Sequence, residues 1–74
     1  MLQPITAKEL EYIADSLSNE DLLMKQNALL AASASNQSLR QIGQQMLHTH
    51  QQHYQTLMQS FQQHQSIAPT QPQQ

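Results

Sequence analysis

Ser33-Ala34-Ser35-Asn36-Gln37-Ser38 decides the fold, because it is the only internal turn signal in the chain. Asn tolerates the left-handed conformation that ends a helix, and its side chain also caps the next one. From Ile5 to Ala68 nothing else breaks a helix except Gly43, while Pro4 precedes the first periodic segment and Pro69 and Pro72 follow the last. The turn therefore predicts two long helices rather than one rod.

Before the turn, Thr6-Ala7-Lys8-Glu9 fits a capping box, in which the Thr hydroxyl and the Glu carboxylate satisfy each other's backbone amides. Leu10, Ile13, Leu17, Met24, Ala28 and Ala31 then recur at helical spacing, with Tyr12, Leu23 and Leu30 widening one side and Leu22 and Leu29 further round. Ser18-Asn19-Glu20-Asp21 imitates a second cap, but the stripe keeps phase across it. One helix is expected over 7 to about 34. After the turn, Leu39, Ile42, Met46, Leu57 and Phe61 share a face that Leu47, Tyr54 and Met58 broaden, giving a second helix over about 37 to 65. Gly43 lies on that stripe, where a missing side chain either lets another backbone approach or leaves a loose spot in the helix. Residues 66–74 are rich in Pro and Gln and are expected to be a disordered tail outside a hairpin domain of residues 1–65.

A short turn forces the helices antiparallel. Seventy-four residues without Cys have no disulfide to help a small core, and chains of this size rarely stabilise themselves alone. Both stripes are wider than a two-helix seam needs. The expected fold is all-α: a two-helix antiparallel hairpin that dimerises with another copy into a four-helix bundle.

Charge narrows the function classes. The formal net charge is −2, with Lys8, Lys25 and Arg40 the only Lys or Arg residues. Three scattered cations cannot make the footprint that displaces counterions from nucleic acid, nor one that holds an anionic membrane surface. No apolar run approaches the roughly 20 residues that span a bilayer, and Met1-Leu2-Gln3-Pro4 lacks the basic and apolar regions of a secretory signal. An intracellular location is expected. A single Gly excludes a Gly-rich phosphate loop, no Ser/His/Asp order is recognisable, and no catalytic residue is assigned.

Polar residues interrupt both stripes. Glu20 sits at the stripe edge between Leu17 and Met24, with Asn27 one heptad later; His50 and His53 stand between Met46 and Leu57. His64 falls on the stripe near its end, and His48 points away from it. With the turn centred near Asn36, Glu20 lies 16 residues before it, His50 14 after and His53 17 after. Equal rise puts residues equidistant from the turn at one height, so Glu20 is expected to face both imidazoles. Three readings follow. The three residues form a hydrogen-bonded layer that fixes register and that Tyr54 can join, or they hold a divalent metal, for which imidazole and carboxylate suit Zn, Fe, Ni or Mn, or they are exposed and meet by accident of spacing.

The run Leu17-Ser18-Asn19-Glu20-Asp21-Leu22-Leu23-Met24-Lys25, the Asn36 turn, Leu39-Arg40 and His50-Gln51-Gln52-His53-Tyr54-Gln55-Thr56-Leu57 together resemble the spore coat F-like family over roughly residues 6–63. These are small helical proteins of spore-forming bacteria, grouped with ferritin-like bundles. The resemblance implies a half-bundle that completes itself by pairing, a place in or near the spore coat, other coat proteins as partners and no particular reaction. Ferritin-type di-iron sites take Glu from one helix and Glu-x-x-His from the next. Glu20 and His53 match that pattern, but His50 stands where the second Glu would be, which argues against ferroxidase activity. A structural, self-associating protein is the expected function, with a metal-binding ferritin-like mini-bundle as the alternative.

Overall fold

A computed structural model describes residues 5–65, and the Pro/Gln-rich segment 66–74 lies outside the described residues. Two helices fold back on one another, α1 over Ala7–Ser33 and α2 over Gln37–Gln65. No strand occurs among the described residues. The capping box is complete: the Glu9 amide donates to Thr6 Oγ1 at 3.0 Å, and the Thr6 amide donates to Glu9 Oε1 at 2.9 Å. The cap imitation at Ser18 does not interrupt α1, because side-chain capping there would forfeit backbone bonds that the continuous helix already makes.

The turn differs from expectation at one point. Neither Asn36 nor any other non-Gly residue adopts a left-handed conformation among the described residues. Helix α1 instead ends through Ala34 in extended backbone, whose amide still donates to the Leu30 carbonyl at 3.0 Å. Asn36 does only its second job: its Oδ1 accepts from the Leu39 amide at 3.2 Å and caps α2. The carbonyls orphaned at the end of α1 find a donor on the other helix. Arg40 Nη1 donates to the carbonyls of Ala34 at 2.9 Å and Ser35 at 3.1 Å. With no basic residue in its own last turn, α1 borrows its C-terminal cation from α2.

The helices touch along a narrower seam than the stripes suggest. Leu10, Ile13, Leu17, Glu20, Met24, Asn27 and Ala31 are covered on α1, as is Ala34 at its end; Arg40, Gly43, Leu47, His50, Tyr54, Leu57, Phe61 and His64 are covered on α2. Both sets alternate steps of three and four, the spacing of a coiled-coil seam. Ala28, Leu39, Ile42 and Met46, assigned to the stripes from sequence, are exposed. A stripe wide enough for a bundle cannot all face one partner, and the seam takes only its centre.

Gly43 sets how closely the helices approach. A β-carbon there would lie 2.7 Å from the Ala31 amide nitrogen, 3.0 Å from the Asn27 carbonyl oxygen and 3.1 Å from Ala31 Cα. Backbone occupies the space that any other side chain would need. Asn27, half-buried beside this contact, turns its amide back to the Leu23 carbonyl at 2.8 Å and brings no unpaired donor into the seam.

Candidate metal centre

About two turns of helix separate the Gly43 contact from the polar layer. Glu20 projects from the middle of α1; His50 and His53, three residues apart, project from one side of α2. His50 Nδ1 lies 2.5 Å from Glu20 Oε2 and His53 Nδ1 lies 3.1 Å from Glu20 Oε1. The register counted from Asn36 is the one observed. Each carboxylate oxygen thus serves its own ring. The two rings stand perpendicular, with centroids 5.3 Å apart, so neither blocks the other's path to Glu20.

An ionised carboxylate only accepts hydrogen bonds, so each ring must carry its proton on Nδ1 and donate it. Burial of Glu20 acts to raise its pKa. Hydrogen bonds from His50 and His53, with the charge of both rings, outweigh that, and the carboxyl lies below its ordinary value of 4.5. The Glu20 and His50 side chains are 14% and 12% exposed, whereas that of His53 is 54% exposed. The layer is closed on the seam side and open on one flank.

The other polar residues of the stripes stay apart from this layer. His64 Nδ1 bonds to the Ser60 carbonyl at 2.8 Å within its own helix. His48 is exposed. Tyr54 is half-buried in the seam, and its hydroxyl makes no hydrogen bond to Glu20 or to either imidazole. Glu20, His50 and His53 can each present a ligand atom within 4.8 Å of the others, and they are the one such group of three among the described residues. The role of Arg40 in closing the turn escaped sequence reading. Its signal was available: α1 ends without a cation, and a long basic side chain follows one turn into the next helix.

Fold and site together define a minimal helical hairpin carrying a two-histidine, one-carboxylate layer across its seam. No protein-family model, no curated protein and no solved structure matches the chain. No helix among the described residues is long and apolar enough to cross a membrane.

Proposed function

We propose that this chain is a structural assembly module that folds by pairing with a second copy into a four-helix bundle. The observation that carries the reading is the imbalance between covered and uncovered apolar surface. Leu17, at 8% exposure, is the one buried apolar residue among those described, while Tyr12, Leu22, Leu29, Leu39, Ile42 and Met46 remain exposed. At 100° per residue Leu39, Ile42 and Met46 occupy one flank of α2 beside the seam. Tyr12, Leu23 and Leu30 occupy the flank of α1 on the same side. Antiparallel right-handed helices therefore set Leu23 and Leu30 beside Leu39, Ile42 and Met46 as one apolar face, with Tyr12 further from the turn. Each large apolar side chain taken fully out of water contributes about 1.5–3 kcal/mol. A second copy applied through the same face would supply the core that one hairpin lacks, and twofold pairing makes a patch its own complement.

The resemblance to spore coat F-like proteins, carried by the residues quoted above, is the support for proposing such a module in the coat of a sporulating cell. It supports self-association and partnership with other coat proteins rather than catalysis. The assembly reading is tested by sedimentation equilibrium of wild type and Ile42→Asp. The wild type is expected to be a dimer. Two copies of the substitution, one per protomer, should remove about 3–6 kcal/mol of association energy, or roughly 10² to 10⁴ in Kd. A wild-type monomer at high concentration would overturn the proposal. Synthesis of the protein outside sporulation would remove the coat placement and leave the bundle intact.

A further inference from the structure

We infer that Glu20, His50 and His53 form a divalent transition-metal site that clamps α1 to α2. The donor set is two imidazole nitrogens and one carboxylate, the combination that binds Zn²⁺ or Fe(II) while leaving coordination positions open for water. Two ligand atoms each about 2.1 Å from a tetrahedral zinc lie roughly 3.4 Å apart. The ligand atoms of this group lie within 4.8 Å of one another, and two nitrogen–oxygen pairs are already at 2.5 and 3.1 Å. The change needed is within the reach of side-chain rotation and leaves both helices in place. The Nδ1 protons now shared with the carboxylate occupy the position that an ion would take. Binding displaces them, each neutral ring keeping its one proton on its other nitrogen and each imidazolium releasing one to solvent.

Access and selectivity follow from the surroundings. His53 is more than half exposed, so an ion enters from that flank, while Glu20 and His50 hold it against the seam. Absence of Cys leaves only nitrogen and oxygen donors, which excludes thiolate-demanding sites. All three ligands belong to one hairpin, so the site takes no ligand from a second copy.

The alternative is a layer that only hydrogen-bonds, and one substitution separates the two. Glu20→Gln keeps an oxygen acceptor facing the rings but removes the anionic ligand. Titration calorimetry and native mass spectrometry of the full chain with Zn²⁺ are expected to show one ion per chain. Binding should weaken at least 100-fold in Glu20→Gln and in His53→Ala, and remain unchanged in His48→Ala. His53→Ala alters a half-exposed position and keeps the test valid if Glu20→Gln fails to fold. Absence of stoichiometric Zn²⁺ uptake by the wild type overturns the site. So does uptake that survives His53→Ala, or that falls equally in His48→Ala, since both would mean chelation by histidines in general.

Discussion

Arg40 shows how one side chain completes a turn. Its guanidinium satisfies two carbonyls that α1 leaves without partners, and hydrogen bonds to charged groups contribute about 1.5–3 kcal/mol when well formed. Because the group is only half-buried, replacement by Met should cost about 1 kcal/mol, read as a lower thermal midpoint in circular dichroism. An unchanged midpoint would show that water serves those carbonyls equally well. Glu20 carries the pH dependence. Its pKa is lowered in the folded chain, so its contribution is fully present above the unfolded-state value and is lost as pH falls through the folded one. Metal-free wild type should therefore lose its stability advantage over Glu20→Gln as pH drops below the ordinary glutamate range. A difference between the two that stays constant from pH 7 to pH 3 would contradict this. The juxtaposition of Glu20 with His50 and His53 was legible in sequence because it needs only helical rise and a known turn. The ring proton positions and the role of Arg40 were not, since both depend on side-chain directions that spacing leaves open.

At the scale of the element, the two helices and their bounds were legible because caps and breakers stand at their ends: Thr6 with Glu9, Asn36, and the prolines outside. The way α1 stops was not. Asn36 favours two conformations, and its neighbours decide between them: Arg40 reaches the α1 carbonyls without a left-handed residue, and Asn36 is left to cap α2. The division of each stripe into a covered seam and an exposed flank was equally hidden, because hydrophobic spacing marks what is to be buried without saying by which partner. Gly43 fixes where the seam runs. Alanine is a better helix former than glycine by nearly 1 kcal/mol, so Gly43→Ala would stabilise an isolated helix. Here its β-carbon meets backbone at 2.7 Å, which cannot move aside as a side chain could. Forcing the helices apart costs about 1–3 kcal/mol, so the substitution should lower stability despite the gain in propensity. Measurement of urea unfolding midpoints for both forms checks the sign, and a more stable alanine variant would show that the contact is loose.

The whole molecule is held together by less than its length suggests. Among the described residues, one seam, one buried leucine and one polar layer join two helices of about 40 Å each. Fixing a backbone residue costs about 1–2 kcal/mol in conformational entropy, a cost that accrues along both helices. In the proposed dimer the exposed flank would supply further stability. On the proposed assembly, folding and association would be one equilibrium, with apparent stability following protein concentration by mass action. The most direct measurement is the thermal midpoint by circular dichroism over a thousandfold range of metal-free protein concentration. Coupled folding predicts a midpoint that climbs steadily with concentration, together with loss of helix in the most dilute samples. A cooperative transition at one fixed temperature throughout that range would mean that a single hairpin is sufficient.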